Sequence, residues 1–242
     1  MAGGVWGKYF SMSEGWSESA PAWIASIDGD FSRHAVLDAP MLARVRAGGY
    51  GHALDVGCGE GRFCRMMRAA GVNAVGVDPI PLMVETAQAR DPGGDYRVGR
   101  AEKLDFPDAS FDLAVSYLTL IDIEGLEQAV AEMARVLRPG GALLIANLNS
   151  FSTAGGWEGE GPAERYAIDG YLDSRAEWVA WAGVRVRNWH RPLSRYMQAL
   201  LGQGLRLACF DEPEPDPAWP DAARVARYRR APWLLMMEWR KP

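Results

Sequence analysis

Between residues 50 and 148, short apolar runs alternate with stretches of helical spacing, and that alternation restricts the fold more than any other feature of the chain. His52-Ala53-Leu54-Asp55-Val56 is apolar and runs into glycines, as a parallel strand covered on both faces does. Residues of about 60–70 then read as helix, 73–77 as strand, 81–90 as helix, and 95–98 and 111–116 as strands. Leu126, Val130, Met133, Val136 and Leu137 keep helical spacing up to Arg138-Pro139-Gly140-Gly141, where a cation, a helix breaker and two glycines coincide. Residues 142–146 form a fifth apolar run. Strands alternating with helices predict an α/β fold built on a parallel sheet with right-handed crossovers.

The flanks differ in composition. Residues 1–48 are aromatic-rich, with Leu37, Leu42 and Val45 at helical spacing, and read as an N-terminal helical cap on a core of 49–148. Residues 149–191 hold Trp157, Tyr166, Tyr171, Trp178, Trp181 and Trp189 and read as an aromatic lid insert. Residues 192–242 are expected to complete the core sheet, with a helix from Leu193 to Gly202 led in by Pro192 and a strand at 205–210. The acidic, proline-punctuated run from Asp211 to Pro217 reads as a solvated connection.

Composition excludes several partners. The net charge of −5 lacks the basic surplus that neutralises phosphates, so no nucleic acid is expected, and Arg224, Arg227, Arg229 and Arg230 read as a solvated face. No apolar run approaches the roughly 20 residues that span a bilayer. A basic segment followed by an apolar stretch is missing at the N-terminus, so a cytoplasmic protein is expected. Cys58, Cys64 and Cys209 are too few and too scattered for a disulfide framework or a zinc site, and no metal is expected.

Gly57-Cys58-Gly59-Glu60-Gly61 follows the first strand and opens the first helix, where glycines let the backbone turn sharply and a ligand approach. Asp78 ends the next strand, about 20 residues on, where a carboxylate can accept from both ribose hydroxyls of an adenosine. The third glycine falls one position short of the dinucleotide spacing, and Arg62 takes its place. Asp55, two residues before the first glycine, suits an ammonium better than a pyrophosphate.

These features resemble the class I S-adenosylmethionine (SAM)-dependent methyltransferases of the small-molecule type 11 group. The resemblance rests on Leu54 to Gly61, on Gly76-Val77-Asp78, on Ala101 to Phe106 and on Val136 to Gly141. It implies a Rossmann-like fold with a mostly parallel seven-stranded sheet, helices on both faces, and SAM as cofactor, released as S-adenosylhomocysteine. By the same resemblance, Asp55, Gly57 and Gly59 hold the methionine part, with Cys58 a small filler inside this cofactor-binding loop, Asp78 holds the ribose, and Pro79, Ile80, Ala101 and Glu102 the adenine. Ser116 and Tyr117 lie beneath the sulfonium. Arg100 departs from the family, which carries an aspartate there, and arginine accepts no hydrogen bond.

The group methylates small molecules, and the aromatic insert points to an apolar or aromatic acceptor, with O-, N- and C-methylation all open. His190, at the end of the insert, is a candidate base and acceptor-site residue, and Asp122 is a second candidate base. His34, Tyr171 and Trp178 are candidate acceptor-site residues. A SAM-binding scaffold without turnover, and more distantly a nicotinamide oxidoreductase, stay open as alternatives. The oligomeric state is not legible.

Overall fold

The computed structural model describes residues 15–242, so the first fourteen residues of the expected cap lie outside the described residues. In chain order, the cap consists of α1 (Trp16–Ser26), two short turns and α2 (Asp38–Gly48), which ends on Gly49 in the left-handed region at φ 63°. The core then runs β1 (His52–Val56), α3 (Arg62–Ala69), β2 (Asn73–Asp78), α4 (Pro81–Arg90), β3 (Asp95–Val98), β4 (Phe111–Tyr117), α5 (Leu126–Val136) and β5 (Leu137–Leu148). A single turn, α6 (Ser150–Thr153), leads to two antiparallel hairpins, β6 (Gly155–Glu158) with β7 (Arg165–Ile168) and β8 (Arg175–Trp181) with β9 (Val184–His190). The chain closes with α7 (Leu193–Gly202), β10 (Arg206–Asp211), α8 (Ala222–Arg230) and β11 (Leu234–Arg240).

One seven-stranded sheet organises these elements in the order β10-β11-β5-β4-β1-β2-β3. Pairing is parallel from β5 across to β3, and β11 runs antiparallel to both β5 and β10. Apolar runs such as Ala53 to Val56 form strands because both faces are covered. Met41, Phe63, Met67 and Tyr228 bring α2, α3 and α8 onto one face. Leu126, Val130, Met133, Tyr196 and Leu200 bring α5 and α7 onto the other.

One sequence-based boundary shifts, and the insert takes a definite form. The fifth strand begins at Leu137, not 142, because Leu137 already pairs with Phe111 before the ladder slips past a bulge near Gly141. Beyond α5, Lys241 Nζ donates to the Ala134 and Leu137 carbonyls at 2.7 Å each, closing the helix end with a cation. The insert expected at 149–191 is two β-hairpins. Ala182-Gly183, at φ 45° and 81°, makes the two-residue turn between β8 and β9.

Candidate cofactor and acceptor site

The carboxyl ends of β1, β2 and β4 open into a cavity of about 1040 Å³, counted to the solvent at its mouth. Ligands of open α/β sheets bind at this edge. The glycine loop forms the floor. The Gly57 and Cys58 amides donate to the Val77 carbonyl at 2.7 and 3.0 Å, folding the loop over the end of β2. Gly57 sits at φ 78°, and a Cβ there would lie 2.2 Å from Thr119 Cγ2. Its glycine is therefore demanded by Thr119 and by the backbone itself.

Two buried carboxylates meet the loop. Asp78 Oδ2 accepts from the Gly59 amide and Oδ1 from the Ile80 amide, both at 2.9 Å, so the strand-end acid clamps the loop and the start of α4. Burial raises its pKa to about 6, against those two hydrogen bonds. Asp55 is 1% exposed; Cys64 Sγ donates to its Oδ2 at 3.5 Å, while Oδ1 has no partner. Burial, opposed mainly by the Cys64 hydrogen bond, pushes Asp55 up to about 7. An unpartnered buried carboxylate oxygen calls for a cationic donor.

The cap and the loop after β4 make the opposite wall. Trp16, Trp23 and Arg33 line it from the cap, and Leu118, Thr119, Asp122 and Ile123 from the loop. The Arg33 guanidinium lies 4.5 Å from the Trp23 ring centroid and 5.6 Å from that of Tyr117. Tyr117 donates to Asp38 Oδ1 at 2.7 Å, and Arg62 Nη2 reaches both oxygens of the same carboxylate at 2.5 and 2.7 Å, fastening the cap to the loop–helix junction. Leu118 holds φ 57°, a strained position for a branched side chain, and its amide donates to the Ala146 carbonyl at 2.8 Å. Asp122 Oδ1 accepts from Asn188 Nδ2 at 2.6 Å, and Trp16 donates to the same carboxyl group. Burial outweighs these hydrogen bonds and lifts Asp122 to about 7.

Asp55, Gly57, Cys58, Gly59, Asp78, Pro79, Ile80, Ala101, Glu102 and Tyr117 all line this one cavity. Arg100 lines it too, and its Nη2 donates to Glu102 Oε1 at 3.0 Å, so the residue that departs from the family engages the acid expected at the adenine edge. Ser116 does not line it: the side chain is fully buried in β4, with an unpartnered Oγ.

Of the acceptor-side candidates expected from the sequence, Asp122 lines the cavity, and His34, Tyr171, Trp178 and His190 do not. His190 is 2% exposed at the end of β9, with Nε2 donating to the Tyr171 carbonyl at 2.9 Å and Nδ1 2.6 Å from Thr153 Oγ1. Both ring nitrogens are engaged in tying the insert to α6, which leaves none for an acceptor. Tyr171 accepts from the Leu193 amide through its hydroxyl, at the start of α7. Trp178 lies outward, 47% exposed, under the Arg185 guanidinium. His34 sits outside the lining, between Asp38 Oδ2 and the Ile27 carbonyl, 3.3 Å from each. Trp16, Trp23 and Arg33 were missed. The seven-residue interval between the two tryptophans, which puts both indoles on one helix face, was the available signal.

A cavity floored by a glycine loop, with one acid before the loop and one at the end of the next strand, on a 3-2-1-4-5 parallel sheet closed by an antiparallel pair, defines a class I SAM-dependent methyltransferase domain. Residues 54–145 match the methyltransferase domain model of the type 11 family. Among curated relatives, it is 35% identical over 124 residues to the malonyl-[acyl-carrier protein] O-methyltransferase of Serratia marcescens, covering 50% of this chain and 49% of that one. It is 40% identical over 99 residues to the protein of the same name from Erwinia billingiae, covering 41% and 39%. The chain thus spans about half the length, or less, of these relatives. A solved SAM-dependent methyltransferase from Mesorhizobium loti superposes with a TM-score of 0.74 at 27% identity, over 89% of this chain and all of that one.

Proposed function

We propose that this protein transfers a methyl group from SAM to a small-molecule acceptor with apolar or aromatic character. The unpartnered Asp55 Oδ1 beneath the glycine loop carries the reading, because it fits the ammonium of a methionine moiety and no phosphate. In this reading Asp55 takes the ammonium, the remaining lone pairs of Asp78 take the ribose hydroxyls, and Ile80 and Ala101 cover the adenine. Bound SAM supplies an electrophilic methyl on a sulfonium. The chain supplies alignment and a dry wall.

Trp16, Trp23, Tyr117 and Ile123 give the acceptor side its aromatic and apolar surface. Asp122 is the group placed to hold a proton there. Its Oδ1 is fixed by Asn188, and its pKa of about 7 suits a base that works near neutral pH. Malonyl-[acyl-carrier protein] O-methyltransferases among the relatives support an oxygen acceptor.

The test is methyl transfer from labelled SAM across phenols, carboxylic acids and amines, with Asp122→Asn beside the parent. For an acceptor that must lose a proton, kcat should fall by roughly 10²–10⁴-fold while SAM affinity holds. SAM binding without transfer to any acceptor class would leave a SAM-binding scaffold. No SAM binding at all would defeat the proposal.

A further inference from the structure

The seven-stranded sheet has two edges, and they are guarded differently. The β3 edge is four residues long, and its charges pair within the strand, Arg97 Nε and Nη2 donating to the Asp95 carboxylate at 2.9 and 2.7 Å. The β10 edge is six residues long, Arg206-Leu207-Ala208-Cys209-Phe210-Asp211, and among the described residues no strand lies beyond it. Leu207 and Phe210 are 41% and 43% exposed. Arg206 and Asp211, at its two ends, make no ion pair or side-chain hydrogen bond among the described residues. Arg206 stands directly across from another cation, Arg240, which is itself paired with Glu238 at 2.5 Å. Open edges of this kind are templates for another strand.

The register shows which strand fits. Leu207 pairs with Trp239 but Cys209 with Glu238, so Ala208 is an inserted bulge residue. Side chains alternate along β11, so Leu207 and Phe210, opposite Trp239 and Met237, share one face of the sheet. Arg206, Cys209 and Asp211, opposite Arg240, Glu238 and Met236, share the other.

We propose that β10 is a homodimer edge, two copies of this chain pairing β10 antiparallel about a two-fold axis between Ala208 and Cys209. Such an axis, perpendicular to the sheet, keeps each face on its own side. It sets Arg206 against Asp211 of the second copy, twice, and Leu207 against Phe210 of the second copy, twice. In a regular strand residues 206 and 211 lie on opposite faces and could not meet this way. The single extra residue at Ala208 brings them onto one face, so the strand is palindromic in charge and in apolarity only because of its bulge. The two sheets would join into one of fourteen strands. The inference does not depend on the proposed methyl transfer.

The experiment is sedimentation velocity on the full chain, parent and charge-reversed, over a concentration series, with circular dichroism to check folding. The parent should show a concentration-dependent dimer. Arg206→Asp alone opposes two aspartates at each end, and Asp211→Arg alone opposes two arginines, so each should associate about 10-fold or more weakly. Mixed in equal amounts, the two variants should form a heterodimer, since every end then pairs an arginine with an aspartate. A parent that stays monomeric at its highest soluble concentration overturns the proposal. So does a dimer that both reversals leave intact, or a mixture of folded variants that associates no better than either alone.

Discussion

Asp55 holds a carboxyl group where its charge has one weak donor and an otherwise empty oxygen, and its pKa of about 7 expresses that conflict. Binding of an ammonium requires the ionised form. Below pH 7 the free protein must lose a proton before it can bind, so SAM affinity should fall by up to about 10-fold for each pH unit below 7 and level off above it. Asp78, at about 6, steepens the fall at the acid end. Asp55→Asn should bind weakly at every pH and lose the limb centred near 7; calorimetric titrations between pH 5.5 and 8.5 would show it. A parent affinity flat across that range would detach Asp55 from the ligand. Stability runs the other way. Asp55 holds its proton more tightly folded, at about 7, than unfolded, at about 3.9, so its contribution to the free protein is greatest below pH 4 and is lost as pH rises to 7. Both acids were legible in the sequence because each sits at a fixed offset from a strand end. Arg33 was not, because its position on the far wall depends on how the cap packs, which no local spacing encodes.

The elements of the core follow their sequence patterns, α4 and α7 to the residue, because burial on one helical stripe or on both strand faces leaves a periodic trace. The insert is different. Its tryptophans attract attention as an apolar surface, yet β8 and β9 are a hairpin whose Val184 and Val186 face inward against Ala20, Trp23 and Met83. Ala182-Gly183 between two alternating runs was the overlooked signal. The hairpin is moored at its base. The Trp189 amide donates to the Ile121 carbonyl at 2.6 Å, and Arg191 Nη2 donates to the Ile123 and Glu124 carbonyls at 2.6 and 2.9 Å. His190 belongs to that mooring. His190→Ala strips the Tyr171 carbonyl and the Thr153 hydroxyl of a buried partner, so denaturant unfolding should show a loss of about 1–3 kcal/mol. The kcat of methyl transfer should change less than about 3-fold, since no imidazole lines the cavity. A hundredfold fall in kcat with unchanged stability would restore His190 as a base.

At the scale of the molecule, the cavity is where separately folded parts converge: α1 of the cap, the loops after β1, β2 and β4, and the segment 99–102. The cap is fastened there by Arg62 and Tyr117, both bonded to Asp38 of α2, and by Ser19, whose Oγ lies 3.0 and 2.9 Å from the Arg185 carbonyl and amide of β9. A ligand filling this space touches cap and core at once and is lost entirely on unfolding, so it stabilises the whole molecule by mass action. At a concentration 100 times its Kd the gain is about 2.7 kcal/mol, which in a domain of this size raises Tm by about 5–11 °C. SAM and S-adenosylhomocysteine should both produce this shift in a thermal melt. NADH at the same concentration should not, because Arg62 fills the third-glycine position of a dinucleotide loop and is already bound to Asp38, leaving no clear helix end for a pyrophosphate. A melt in which NADH raises Tm and SAM leaves it unmoved would mean that this cavity holds a nicotinamide dinucleotide despite its short glycine spacing.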